Sequence, residues 1–331
     1  MRNIVQQILQ EHAPKNYASP QQSTATAFAP SNIALCKYWG KRDTTLNLPY
    51  QSTISISLGD KGTTTSIEVI DNNHDEIIVN DQAIPLNTVF AKRITAYLDL
   101  FRQETSTKFK IMTRNSIPTA AGLASSASGF AALIKALNEL YQWSLPDKEL
   151  SILARLGSGS ACRSLWHGFV HWQAGESDDG MDSFATPLVN SWDDLCVGLV
   201  LVSSEPKERS SREAMQASVQ QRKHYQAWCK SVEHDCERIH EAIKNHDFHL
   251  LGETAERNAQ SMHQLITKTN NGFSYHTQPT IKTINKIKAL RKEGVPIYFT
   301  QDAGPNIKLL FLASSQQEVG EALANMFLIK V

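Results

Sequence analysis

An α+β protein of two lobes is predicted by this sequence. Strand-like and helix-like stretches interleave in both halves, and a charge-free run at Leu195–Val202 opens a second unit just after Trp192. With 331 residues, 41% hydrophobic and 20% charged, the chain can bury a sizeable core. Lysine plus arginine and aspartate plus glutamate number 33 each, so there is no global basic field to hold nucleic acid or an anionic membrane. Any anion site must be local.

Residues 1–23 form a polar extension in which Ile4, Val5, Ile8 and Leu9 have the spacing of one or two turns of helix. A docked helix and a loosely held leader fit this pattern equally. Strands follow at Thr24–Ala29, Thr53–Leu58 and Thr63–Ile70, rich in β-branched residues and separated by Gly, Asp and Pro. A helical period at Phe90, Ile94, Tyr97, Leu98 and Phe101 precedes a strand at Lys108–Thr113, and Phe130, Leu133, Ile134, Leu137 and Leu140 share one helix face. In the second half, Leu195–Val202 has too little alternation for a half-exposed strand and reads as fully buried. Helices are expected at His224–Asn245, at Phe248–Thr267 and around Ile281–Leu290. Strands are expected at Pro296–Thr300 and Ile307–Leu312, with a last helix at Gln316–Met326. The expected units are thus 1–23, 24–192 and 193–331.

Cys36, Cys162, Cys196, Cys229 and Cys236 are odd in number, scattered and free of CxxC pairs, which predicts reduced thiols in a cytoplasmic protein and no zinc site. Met1 to Pro20 lack the apolar stretch of a secretory signal, and no run of about eighteen apolar residues spans a membrane.

One segment has the makings of a phosphate site. Pro118-Thr-Ala-Ala-Gly-Leu-Ala-Ser-Ser-Ala127 joins a strand to a helix, and its small residues let an anion reach unpaired N–H groups at the positive end of the helix dipole. On its own such a helix start is more often tight packing, and it fits neither GxxxxGK[ST] nor GxGxxG. Likewise Gly157-Ser-Gly-Ser-Ala-Cys-Arg-Ser164 alone reads as a turn, Ser210-Ser211 as a helix cap, and Asp302-Ala-Gly-Pro-Asn306 as a bend that favours Asp and Gly for backbone reasons.

Together and in order, these blocks and Ala29-Pro-Ser-Asn-Ile-Ala-Leu-Cys-Lys-Tyr-Trp-Gly-Lys-Arg-Asp43 resemble the GHMP kinase superfamily, and specifically its diphosphomevalonate decarboxylase branch. The resemblance runs from about Thr24 to the C-terminus. It implies a GHMP-kinase-like fold with an N-terminal ribosomal-protein-like lobe and a C-terminal ferredoxin-like lobe. It also implies ATP with Mg2+, and mevalonate 5-diphosphate as substrate in a homodimer that binds neither nucleic acid nor membrane. Carried over residue by residue, it makes Asp302 and Lys37 catalytic. Asn32, Tyr38, Lys41, Ser158, Ser160, Arg163, Ser211 and Arg212 become substrate contacts, and Gly122, Leu123, Ala124, Ser125 and Ser126 the nucleotide loop.

The chemistry fits the residue types. A substrate with a diphosphate, a carboxylate and a tertiary hydroxyl needs cations and neutral donors everywhere except at the hydroxyl, where a carboxylate can orient the oxygen and accept its proton. Lys37 and Lys41 beside Arg163 are expected to form one positive field, with Trp39 a packing anchor. Departures from the family pattern are Gln51 in the block after Leu48, His167 where glycine is common, and Gln264 after Met262-His263. A phosphomevalonate decarboxylase, a mevalonate 3-kinase and a non-catalytic metabolite-binding protein are the alternative readings.

Overall fold

The computed structural model describes residues 1–103, 106–116, 125–188, 191–203, 205, 208–323 and 326–330. Helix α1 (Arg2–His12) buries Ile4, Val5, Ile8 and Leu9 in the first core, so the leader is a docked helix of about three turns. Behind it the backbone N–H groups of Gln21 and Gln22 donate to the Leu140 carbonyl at 2.9 and 3.1 Å. Trp143 Nε1 also donates to the Tyr17 carbonyl at 3.0 Å.

Strand β1 (Thr24–Ala34) runs well past the expected Ala29. Short β2 (Lys41–Asp43) and β3 (Leu48–Pro49) form a separate pair, and β4 (Thr53–Ile70) is one continuous strand where the sequence suggested two. Both findings have one cause. β1 pairs antiparallel with both halves of β4, Thr24 to Pro30 against Glu68 to Gly62 and Asn32 to Ala34 against Ser57 to Ser55, with a register shift between Pro30 and Asn32. The polar Gly59-Asp60-Lys61-Gly62 stretch is therefore the bend of a long strand.

After β5 (Glu76–Val79) and β6 (Gln82–Ala83), the Thr88 hydroxyl caps helix α2 (Val89–Leu98) by accepting from Ala91 N at 3.2 Å. Strand β7 (Lys108–Asn115), helices α3 (Ser125–Tyr141) and α4 (Asp147–Gly157), and strands β8 (Phe169–Trp172) and β9 (Ala185–Pro187) complete this half. Its sheet has the order β6-β5-β7-β4-β8-β9, with β1 also on β4.

The second half is built on β10 (Leu195–Val200), every residue of which is buried. Helix α5 (Ser211–Gln220) starts with a capping box between Ser210 and Glu213. Helices α6 (Arg222–Asn245), α7 (Phe248–Thr269) and α8 (Gln278–Lys292) follow, then β11 (Ile297–Thr300) and β12 (Ile307–Leu312). The final helix α9 (Gln316–Ala322) stops short of the expected Met326, and Met326–Lys330 is instead strand β13, paired with β10. The edge of β10 offers unpaired ladder groups that Met-Phe-Leu-Ile-Lys satisfies better as a strand than as one more helical turn. This sheet has the order β11-β12-β10-β13.

One core cluster draws on both halves. Ile33, Leu35, Trp39, Ile54, Ile56 and Phe169 pack with Leu195, Val197, Trp228, Leu251 and Leu310. The ends of β1, β11 and α4 thereby come together at one cleft.

Candidate active site

At the floor of the cleft Asp302 sits in the turn between β11 and β12, and two lysines hold its carboxylate. Lys37 Nζ meets Oδ1 at 2.7 Å and Lys308 Nζ meets Oδ2 at 3.1 Å; both lysine side chains are 2% exposed, against 31% for Asp302. Burial alone would raise the Asp302 carboxyl, but Lys308 and Lys37 outweigh it and hold the group far below the usual carboxylate range. Burial lowers Lys37, an effect that Asp302 opposes.

Lys37 is fixed by its backbone as well as its charge. Its N–H donates to Asn258 Oδ1 at 2.8 Å, and Asn258 Nδ2 donates to Asp235 Oδ2 at 2.8 Å, while Arg257 pairs with the same aspartate. Helices α6 and α7 thus anchor a loop of the first half through a fully buried asparagine. The Lys37 ammonium also donates to the Ala34 carbonyl at 2.8 Å.

The wall opposite is the 3₁₀ turn Gly159–Arg163, which follows α4. Its glycines are dictated by contact: a Cβ on Gly157 would lie 2.2 Å from the Phe130 ring, and one on Gly159 would lie 2.6 Å from the Tyr38 hydroxyl. Burial pushes that Tyr38 phenol up, so it stays a neutral donor. Arg163 is buried, donates to the Thr53 hydroxyl and lies over the Trp172 ring at 5.7 Å. Ser126, in the first turn of α3, has its Oγ 3.3 Å from Ser158 Oγ. Asn32 donates to Ser164 Oγ at 2.7 Å and to the Ser160 carbonyl at 3.4 Å.

A second group of cations lies along the cleft. Lys41 Nζ donates to Asn47 Oδ1 at 2.5 Å, and Arg93 on α2 donates to the Gly157 carbonyl at 2.6 Å. Burial, then Arg212 and Arg93, lower Lys41 to about 8. Arg163 acts on Lys37, and Arg212 and Arg93 act on Lys41, all along the same cleft.

The cavity, about 1030 Å³, is lined by Asn32, Lys37, Tyr38, Lys41, Ser126, Ser158, Ser160, Arg163, Ser211, Arg212 and Asp302, which gathers the sequence-derived candidates in one place. Gly122, Leu123, Ala124 and the side chain of Ser125 lie outside the described residues. Among the described lining residues five are cations, Lys37, Lys41, Arg93, Arg163 and Arg212, and Asp302 is the sole acid. Trp39 also reaches the cleft wall, although it is 2% exposed and its Nε1 donates to Ser218 Oγ at 3.1 Å, as a packing anchor would.

Sequence reasoning missed Arg93, Asn47 and Lys308. Arg93 is embedded in a helix read for its apolar face. Lys308 is the one charge in the apolar run Ile307–Leu312, and a lysine in a fully buried strand was the signal available. Arrangements of this kind bind a polyanion along one wall and present one carboxylate to a neutral group of it.

Residues 29–185 match the diphosphomevalonate decarboxylase-like N-terminal domain family, and residues 197–330 match the mevalonate 5-diphosphate decarboxylase C-terminal domain family. The chain is 36% identical over 319 residues to diphosphomevalonate decarboxylase mvd1 of Aspergillus fumigatus, covering 89% of this chain and 78% of that protein. Its fold is similar to mevalonate diphosphate decarboxylase from Staphylococcus aureus, with TM-score 0.87, 34% identity and coverage of 93% and 95%. It is also similar to MDDEF in complex with MVAPP, AMPPCP and magnesium, with TM-score 0.84, 35% identity and coverage of 93% and 99%.

Proposed function

This chain belongs to the diphosphomevalonate decarboxylase family, and we propose from that membership and the cleft's geometry that it converts mevalonate 5-diphosphate and ATP to isopentenyl diphosphate, ADP, phosphate and carbon dioxide. The observation that carries this reading is the charge pattern of the cleft: five cations and one aspartate, the aspartate held at the floor by a buried lysine. A diphosphate and a carboxylate call for the cations, and a tertiary hydroxyl calls for the aspartate.

In this reading the substrate's diphosphate and carboxylate are held by Arg163, Lys41, Arg212, Tyr38, Asn32, Ser211 and the Ser158 and Ser160 hydroxyls. The C3 hydroxyl then donates to Asp302. A carboxylate stabilised by two ammonium groups is a weak base, so its main contributions are to orient the oxygen and to offset positive charge at C3 as the transferred phosphate departs. Phosphoryl transfer through a loose transition state tolerates such a base because the hydroxyl proton leaves late. Phosphate is a far better leaving group than hydroxide, and its loss draws the electrons of the C–CO2 bond towards C3. ATP supplies that phosphoryl group. The residues present suit the nucleotide and its Mg2+: Ser126 and Ser158 bring hydroxyl oxygens to the start of α3, where a helix dipole favours phosphate, and a hard cation carried on phosphates needs few protein ligands.

The two halves, 24–192 and 193–331, are proposed as the nucleotide-binding lobe and the lobe that brings the catalytic aspartate. A cytoplasmic location fits five cysteines that are all free thiols, and the homodimer is proposed from the family resemblance alone. Incubation with ATP, Mg2+ and mevalonate, its 5-phosphate or its 5-diphosphate tests the reaction. Carbon dioxide and isopentenyl diphosphate are expected with the diphosphate alone, and a stable 3-phosphate as end product would refute decarboxylation. Asp302→Asn leaves Lys37 and Lys308 without their carboxylate, so its fold is checked by circular dichroism. In the folded variant substrate binding should persist while kcat falls by about a thousandfold or more, the scale of losing a group that acts chiefly in the transition state. Wild-type turnover in that variant would remove Asp302 from the mechanism.

A further inference from the structure

We propose that Lys308 is a positioning residue for this reaction, holding the Asp302 carboxylate in place from the side away from the substrate. The proposal rests on the reaction assigned above for its kinetic consequences, and on geometry alone for its structural ones.

Lys37 and Asp302 both line the cleft, whereas Lys308 does not; its ammonium reaches Asp302 Oδ2 at 3.1 Å from within β12. The strand around it, Ile307-Lys-Leu-Leu-Phe-Leu312, is otherwise apolar, and its first five residues are buried. An ammonium left unpaired in such a strand costs several kcal/mol, so this position is tolerated because the aspartate is there to meet it. Register makes the meeting obligatory: Lys308 pairs across the sheet with Thr300, at the end of the strand that enters the turn carrying Asp302. The hairpin thus pins its own turn. One carboxylate oxygen is held by Lys308 behind and the other by Lys37 at the cleft face, which fixes the carboxylate plane.

The groups facing Asp302 come from four elements. Lys37 follows β1, Lys308 is on β12, Arg163 is on the 3₁₀ turn, and His263 is on α7. Burial pushes the His263 ring down to about 3, so it remains neutral beside Asp302 and adds no competing charge. Lys308 and Lys37 together lower the Asp302 carboxyl, each through its charge and a hydrogen bond to one oxygen. Loss of Lys308 therefore moves that carboxyl up towards the ordinary range, while Lys37 still holds the other oxygen.

The test uses the full chain with Lys308→Met and Lys308→Gln, both checked for fold by circular dichroism. Expected for Lys308→Met are a kcat lowered about tenfold or more, a KM for mevalonate 5-diphosphate within about twofold of wild type, and an acid limb of the kcat profile at higher pH. Lys308→Gln, which keeps a donor without the charge, should retain more kcat and show the same direction of pH shift. Unchanged kcat and limb, a loss carried by KM, or a loss of kcat with no movement of the limb would each overturn the proposal. A substrate-free measurement separates this failure from failure of the assigned reaction and needs neither variant. In protein labelled with ¹³C at the aspartate carboxyl, one resonance, identified by its absence in Asp302→Asn, should stay ionised down to acid unfolding. Titration of that resonance in the ordinary carboxylate range would refute the double clamp outright.

Discussion

Lys41 is where charge and pH meet most directly. Burial with Arg212 and Arg93 nearby lowers it to about 8 in the free protein, so its ammonium is present below that pH and lost above it. Because kcat/KM reports the free enzyme, it should fall as pH rises through about 8. Lys41→Met should flatten that limb and lower kcat/KM at neutral pH by about tenfold or more, the scale of one charge-assisted contact. An alkaline limb that persists unchanged in Lys41→Met would assign it to another group. At this scale much was legible in the sequence, since Lys37, Arg163 and Asp302 each belong to a recognisable block. Arg93 and Lys308 were not, because neither has a neighbour in sequence that hints at its role. Arg93 looks like the polar face of α2, and Lys308 looks like an interruption of β12, until packing brings Arg93 to the cleft and Lys308 to Asp302.

Helix α1 shows what an element decides. Its 3–4 spacing was compatible with a docked helix or a loose leader, and the structure buries Ile4, Val5, Ile8 and Leu9 in the first core. Arg2 Nη2 also donates to the Asp99 carbonyl at 2.8 Å, tying the helix start to the end of α2, and Met1 borders the cleft. Ile8→Ala should therefore lower the unfolding free energy by about 2–5 kcal/mol, as for other fully buried truncations, seen as a lower urea midpoint. A change below about 0.5 kcal/mol would mean the helix detaches in solution. The C-terminal strand teaches the converse. Gln316–Met326 carries a helical pattern, yet α9 ends at Ala322 and Met326 begins a strand, because β10 has an open edge that a local pattern cannot reveal.

Across the whole molecule, the apolar cluster that joins Ile33, Ile54 and Phe169 to Val197, Trp228 and Leu310 makes the halves interdependent. Urea unfolding followed by near-UV and by far-UV circular dichroism should give coincident transitions; an early separate loss of one half would contradict that shared core. The same cluster aligns Lys37 of the first half with Asn258, Asp302 and Lys308 of the second. Residue type and local period were enough for the α+β class and the order of the motifs, and the resemblance of those motifs to the family implied the polyanion chemistry. The fold settled that Arg212 and Arg93 lie near enough to lower Lys41, that β4 is one strand and that β13 exists. It alone also showed that Asp302 is clamped from both sides, because each of these depends on side chains or strand edges distant in sequence being brought within a few ångströms.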